Sequence, residues 1–563
     1  MTLAYGRELQ EPVAARGLEY LMSCSHGCCS SSVGGNTRKY HGLFVHRGRV
    51  LLAGLDELVN GVRISAQQYQ GSSDDPALRH LFGFSVYPPR WSFMVGDVIV
   101  EKTVTFTHGV TVTYRAHGRA DLRVRPLITD RSVDTVARNP RPVVSVSRAG
   151  FRWSGIQLEG STRFNEEPVT YWNLWYSREE ERGYDPVEDL FSPGYFACSL
   201  SDSSFSLHCY PANLAPVKTV PDTLPISLRD QLDRSSAMFC HHDEIHAGYP
   251  WFCESWGRDT AVSVTGLLTI RDKKEAVQAV LRHLSNHRKH GVIVNRFPDN
   301  YHASDASLWF IYALGRYRLR WGDDAFITGM RPVVADILKN YPSSAIAKLD
   351  HGLISVAPQS TWMDTPFTPR DGKPVEINAL WINALDEAES MGIIPPVTVE
   401  EAAGAFSSFW NEKNQCLSDR IDPVDPSIRP NQVVALALGL VPPEQAAAAL
   451  ATIAKELLTP YGLRSLSPHD PRYRGRFNGD ESYHNGCVWP WLTGMYVDAL
   501  VRNGRSRDSV ALLLAPLLSH LREAGAGYIS EIFDGDAPFT PRGCIAQAWS
   551  VAEVARACRM VFE

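Results

Sequence analysis

Ten residues, Trp251-Phe-Cys-Glu-Ser-Trp-Gly-Arg-Asp-Thr260, hold two tryptophans, a phenylalanine, two carboxylates and an arginine. An unpaired buried charge is costly, so a purely structural segment seldom gathers so many ionisable groups. The mixture suits a sugar: aromatic faces take the C–H side of a pyranose, and charged forks take its hydroxyls. The same stretch also reads as a helix start, with Ser255 as cap and Arg258–Asp259 as a surface ion pair. Taken alone it does not choose between the two.

Six later connections repeat this composition: Asn295-Arg-Phe-Pro-Asp299, Ser360-Thr-Trp-Met-Asp364, Phe367-Thr-Pro-Arg370, Glu481-Ser-Tyr-His-Asn-Gly486, Val488-Trp-Pro-Trp491 and Ser530-Glu-Ile-Phe-Asp534. Loops that spend aromatics and charges in this way are where function concentrates. Glycoside hydrolysis needs two carboxyl groups, an acid and a base or nucleophile. The candidates are Glu254, Asp259, Asp299, Asp305, Asp364, Glu376, Glu481, Glu531 and Asp534. Asp364 follows Trp362 and Met363, and Glu531 lies between Ile529 and Ile532-Phe533, apolar settings that suit a raised carboxyl pKa. Asp259, next to Arg258, reads as an ionised binding group. A helix cap for Asp364 and a surface carboxylate for Glu531 remain open readings at this point.

Other chemistries find little support. No glycine-rich phosphate loop follows a strand, and there is no Gly-x-Ser-x-Gly elbow or His-Glu-x-x-His pair. Cys24, His26, Cys28 and Cys29 are tightly spaced, but no second Cys/His pair follows at finger spacing, so no metal is expected. His241-His242-Asp243 reads as a polar segment. No cofactor is implied.

Three regions must position these residues. Up to residue 215, strand-length runs such as Asp97–Phe106, Val110–Tyr114 and Ser204–Tyr210 alternate with turns, the pattern of an antiparallel β-sandwich. Gly34–Leu43 reads there as a structural hairpin and Glu179–Pro193 as a long solvated loop. Residues 216–245 form a helical linker containing a helix over Ile226–Met238. Residues 246–563 read as all-α, with helices including Lys274–Lys289, where Val277, Val280, Leu281 and Leu284 fall at helical spacing, and His484–Val501. Counting the linker helix, about twelve helices suggest hairpins closing into a ring with a site at one mouth.

The 563 residues exceed one compact core, and 44% hydrophobic with 21% charged residues is ordinary for a globular protein. A net charge of −6 offers no basic patch for nucleic acid. No run of about 18 apolar residues could span a membrane. The 11 scattered cysteines and the absence of a basic, then apolar, N-terminus fit the cytoplasm. Nothing in the sequence signals an oligomeric state.

Pro250–Thr260, Asn295–Asp299, Asp305–Phe310, Thr361–Asp364, Thr368–Asn378, Arg429–Gln432, Tyr483–Trp491 and Gly543–Ser550 together resemble the amylo-α-1,6-glucosidase domain of glycogen debranching enzymes. Gly34–Leu43 and Arg182–Gly194 resemble the β-rich N-terminal domain of the prokaryotic and archaeal members. The resemblance implies an (α/α)6 barrel that removes α-1,6-linked glucose from trimmed branches of glycogen or a branched oligosaccharide, with inversion. It implies Asp364 as general acid and Glu531 as general base. Substrate contacts are expected from Trp251, Glu254, Arg258, Asp259, Arg296, Asp299, Trp362, Arg370, Glu376, Tyr483, His484, Trp489 and Trp491. A glucoamylase-like α-1,4-glucosidase and a non-catalytic glucan-binding protein are the competing readings. The (β/α)8 glucanotransferase barrel of the eukaryotic enzymes has no counterpart in this sequence.

Overall fold

Along Val110–His117 the side chains of Val110, Val112, Tyr114 and Ala116 are buried while Thr111, Thr113, Arg115 and His117 are more open, the period of two that a half-buried strand requires. In the computed structural model, which describes residues 4–24, 26–71, 75–214 and 228–563, this strand is the centre of a nine-stranded sheet. Its neighbours are Val98–Phe106 on one side and Ser204–Pro211 on the other, both antiparallel. A second, eight-stranded sheet runs through Phe164–Trp175, Val187–Ser201, Arg119–Ser132, Arg49–Val59, Gly42–His46, Gly27–Ser32 and Glu19–Cys24. One apolar cluster draws on both sheets, with Phe44, Leu52 and Val59 from the second and Val100, Val112 and Leu207 from the first.

One expectation changes in this region. Val187–Pro193 is not loop but the start of the strand Val187–Ser201. Its charges are accommodated: buried Glu188 pairs with Arg131, and Asp189 accepts from the backbone N–H groups of Asn139 and Asn173. Cys28 and Cys29 lie in the second strand of a hairpin pairing Glu19–Cys24 with Gly27–Ser32. No group of three or more His, Cys, Asp or Glu residues is arranged to hold a metal among the described residues.

The chain divides into two compact units, Met1–Gln231 with Leu521–Gly527, and Leu232–His520 with Tyr528–Glu563. Much of the expected linker, residues 216–227 and with it Ile226, lies outside the described residues; the helix there is described over Leu228–Ala237.

The second unit is mainly helical. Helix α1 (Gly257–Leu267) packs against α2 (Ala306–Trp321), α2 against α3 (Val375–Ser390), and α3 against α4 (Val433–Leu438). In turn α4 packs against α5 (Thr493–Arg502), α5 against α6 (Ala548–Phe562), and α6 against α1. Every residue of α1 is buried, as are most of α2, α3 and α6, and their buried charges are paired, as Arg258 is with Asp259 and Arg556 with Glu553. The helix Lys274–Asn286, by contrast, buries only a stripe that includes Val277, Val280, Leu281 and Leu284. Gly266 allows α1 and α6 to meet closely: a Cβ there would stand 2.0 Å from the Ala552 carbonyl oxygen.

The expected helix from His484 begins only at Thr493. Pro490 lacks an N–H and biases the residue before it to extended backbone, so Val488–Trp489 instead joins a small sheet, pairing with Gly462–Arg464 and with Phe533. Among the described residues, no helix is long and apolar enough to cross a membrane.

Candidate active site

The beginnings of α1 to α6 carry the polar residues that the sequence marked. Arg258 and Asp259 lie in the first turn of α1, Asp305 is the residue before α2, and Glu376 is in the first turn of α3. Asn431 precedes α4, the Tyr483–Trp489 loop precedes α5, and Gln547 precedes α6. Two sheet contacts bring in the rest. Val488 pairs with Phe533, which sets Trp489 near the segment of Glu531, and Gly248 pairs with Gln547.

These segments line an open-mouthed cavity of about 570 Å³, a figure that includes the solvent at its mouth. Its lining includes Arg258, Asp259, Trp362, Asp364, Tyr483, His484, Trp489 and Glu531, all expected from the sequence. Ala247, Phe252, Trp256, Gln547 and Trp549 complete it and were not nominated. Trp256 and Trp549 lie within the segments Pro250–Thr260 and Gly543–Ser550, and that placement is the signal in the sequence that marks them.

Arg258 ties the acidic groups together. Its Nη2 donates to Asp364 Oδ2 at 3.2 Å and its Nη1 to the Thr361 carbonyl at 3.1 Å. Asp259 and Asp305 stand 3.8 and 3.7 Å from the same guanidinium. Burial raises Asp259 to about 7 against the pull of Arg258, helped by the charges of Asp364, Glu531 and Asp305. Burial likewise raises Asp305 to about 6, again opposed by Arg258.

Glu531 is held at both oxygens. The Tyr483 hydroxyl donates to Oε1, and the Cys544 N–H donates to Oε2 at 2.8 Å. Burial nevertheless lifts its pKa to about 7; these two hydrogen bonds favour the ionised form, and the charge of Asp364 adds to the rise. Gly543 makes room for it, since a Cβ there would lie 2.3 Å from Oε2. His484, buried and facing the charges of Arg429, Arg258 and Arg370, is pushed well below its ordinary value and stays neutral.

Several polar atoms of the lining are buried with no hydrogen-bond partner among the described residues: Trp256 Nε1, Trp549 Nε1, His484 Nε2, Gln547 Oε1 and Arg258 Nε, the last of which stands 3.8 Å from Asp259 Oδ2. Native proteins pair nearly all such groups, so these atoms are available to the hydroxyls of a ligand or to water. Trp362 and Trp489 supply apolar lining, Trp489 with His484 stacked on it at 5.3 Å between ring centroids.

The remaining expected residues lie elsewhere. Arg370 and Glu376 are buried behind the lining: Arg370 binds both oxygens of Glu376 and both of Asp419, and its Nη1 reaches Thr361 Oγ1 at 3.2 Å. Asp419 accepts from Asn431, which accepts from Trp362 Nε1 at 2.8 Å. Their charges are thus committed to fixing the Thr361–Asp364 segment. Trp491 packs behind the lining, stacked on Trp549 with ring centroids 5.0 Å apart. Glu254 and Arg296 pair with each other at 2.6 Å on partly exposed side chains, Asp299 is on an exposed turn, and Trp251 is half-buried in a turn.

A cavity with convergent carboxyl groups, aromatic walls and unpaired hydrogen-bonding atoms is the kind of site found in glycoside hydrolases, and sequence comparison agrees. The family model described as "Amylo-alpha-1,6-glucosidase" matches residues 234–556, and the one described as "Glycogen debranching enzyme N terminal" matches residues 24–204. The chain belongs to the glycogen debranching enzyme family, a family of glycoside hydrolases. It is similar to the glycogen debranching enzyme of Saccharomyces cerevisiae, 27% identical over 383 residues. That match covers 45% of this chain but only 25% of the yeast protein. Among solved structures it is similar to the GH63 mannosylglycerate hydrolase from Thermus thermophilus. In complex with glucose that structure gives 14% identity and a TM-score of 0.48 over 59% of this chain and 99% of the other. In complex with Tris and D-glycerate it gives 14% and 0.47 over 59% and 100%.

Proposed function

We propose that this protein is an exo-acting, inverting amylo-α-1,6-glucosidase that releases glucose from α-1,6 branch points of glycogen-type glucans in the cytoplasm. The circuit of α1 to α6 is read as the inner ring of an (α/α)6 barrel, in a catalytic domain of about residues 246–563 that follows a β-sandwich of about residues 1–215 and a linker at 216–245. The observation that carries the reading is the cavity lined by Asp364, Glu531, Arg258 and Asp259 and rich in buried unpaired polar atoms.

In this reading Asp364 gives its proton to the glycosidic oxygen as the bond to the anomeric carbon breaks. Glu531 takes a proton from the water that adds to that carbon from the opposite face. Inversion calls for about 6.5–9.5 Å between the two carboxyl groups, leaving room for the water. A base is most effective when its pKa lies near the working pH, and the value of about 7 at Glu531 suits that role. Arg258 and Asp259 hold sugar hydroxyls, and Trp362 and Trp489 offer stacking faces.

The test is hydrolysis of a phosphorylase limit dextrin, panose, isomaltose and maltotriose, with the anomer of the product followed by NMR. β-Glucose released from α-1,6 linkages is the expected result. Preference for maltotriose would instead mark an α-1,4-glucosidase, and binding without release a glucan-binding protein. Asp364→Asn and Glu531→Gln should each lower kcat by about 10³-fold or more, in line with the loss of an acid or base from a concerted pair. Near-normal turnover in either variant would reject that assignment.

A further inference from the structure

Outside the cavity's buried groups lies a small cluster that the mechanism does not use. Trp256 lines the cavity, and Phe252, also in the lining, meets its ring edge-on at 6.0 Å. The Arg296 guanidinium lies over Trp256, 5.4 Å from the ring centroid, and its Nε donates to Glu254 Oε1 at 2.6 Å. The backbone fixes the arrangement: Trp256 and Arg296 form a bridge, and the Gly257 N–H donates to the Asn295 carbonyl. Exposure changes sharply across this cluster. The side chain of Arg258 is 5% exposed, whereas Glu254 is 40% and Arg296 55% exposed.

A solvent-exposed ion pair contributes little to stability, so a guanidinium clamped over an indole at the edge of a sugar-sized cavity is better explained by what it contacts. In the proposed reaction the cavity takes the sugar whose bond is broken. A second ring must lie further out, against groups that are part aromatic and part charged. An α-1,6 bond inserts the C6 methylene between the glycosidic oxygen and the second ring, which carries that ring one bond further from the cleavage point than an α-1,4 bond does.

We infer that Trp256, Arg296 and Glu254 form the acceptor-side subsite, where the sugar bearing the branch is held through its ring face and hydroxyls. The inference rests on the proposed hydrolase activity. Trp256 presents the indole, and Arg296 and Glu254 present a fixed donor–acceptor fork to the hydroxyls of the same ring.

The experiment compares isomaltose and panose with α-glucosyl fluoride, whose leaving group has no second sugar. For Arg296→Ala and Glu254→Gln, the ratio of kcat/KM on panose to that on α-glucosyl fluoride should fall at least tenfold, mainly through KM. Circular dichroism and melting temperature establish that the exposed-site variants fold. An unchanged ratio, whether both substrates are lost equally or neither is affected, overturns the inference while leaving the hydrolase reading in place. Failure of the wild-type protein on α-glucosyl fluoride and on every glucan overturns the hydrolase reading and this inference with it.

Discussion

Glu531 is the group on which the chemistry of the cavity turns most directly. Its pKa is a balance between burial, which raises it, and the Tyr483 hydroxyl and Cys544 N–H, which favour the charged form. Tyr483→Phe removes one of those donors, so the carboxyl should lose its proton only at a pH above about 7. The acidic limb of kcat/KM should therefore move to higher pH, and a profile that stays in place would show that the hydroxyl does not tune the base. Gly543, at φ +67° and against Oε2, tests position rather than charge. Gly543→Ala should lower kcat by about 10–100-fold, since displacements of about 1 Å carry penalties of that order, and should also lower the melting temperature, because a Cβ is strained at this positive φ.

At the scale of elements, helix beginnings do much of the positioning. The first turns of α1 and α3 place Asp259 and Glu376 at the positive end of a helix dipole, where a carboxylate is favoured. The packing that holds these helices can be probed away from the cavity. Gly266→Ala sets a methyl group against the Ala552 backbone, and should cost about 1–3 kcal/mol by urea unfolding, the range for overpacked cores. Between α5 and α6, buried Arg556 binds both oxygens of Asp498 and pairs with Glu553. Arg556→Ala leaves buried carboxylates uncompensated and should cost about 3–5 kcal/mol; a loss below about 1 kcal/mol would mean that water replaces the guanidinium.

For the molecule as a whole, the raised carboxyl groups couple stability to pH. Asp305 ionises near 4 when unfolded but at about 6 in the fold, so its contribution is fully present below about pH 4 and is lost as pH rises through about 6. Asp305→Asn abolishes that dependence. Relative to the wild type, the variant should gain melting temperature on going from pH 5 to pH 8, and an identical offset at both would place the folded pKa of Asp305 near its ordinary value. The return of Leu521–Gly527 to the first unit is equally global: the Glu19 N–H donates to the Ala524 carbonyl, and Ala526 joins that unit's apolar cluster.

The sequence by itself determined which residue types could do chemistry and how its clearly periodic segments would fold locally. The alternation over Val110–His117, the apolar stripe of Lys274–Asn286 and the polar-aromatic loops are one-dimensional signals, because burial of a face imposes a period on the chain. It did not reveal that Val187–Pro193 is strand, since the partners that neutralise Glu188 and Asp189 are remote in sequence. Nor did it separate Arg258, which lines the cavity, from Arg370, which lies behind it: both are arginines beside acidic residues, and only three-dimensional packing decides whose donors are already committed. Trp491 and Trp549 differ in the same way, one serving as backing and the other as wall. Which residues line a cavity, and which carboxyl groups burial lifts towards neutrality, were decided by tertiary structure alone, because desolvation and charge proximity depend on neighbours that the chain brings together only on folding.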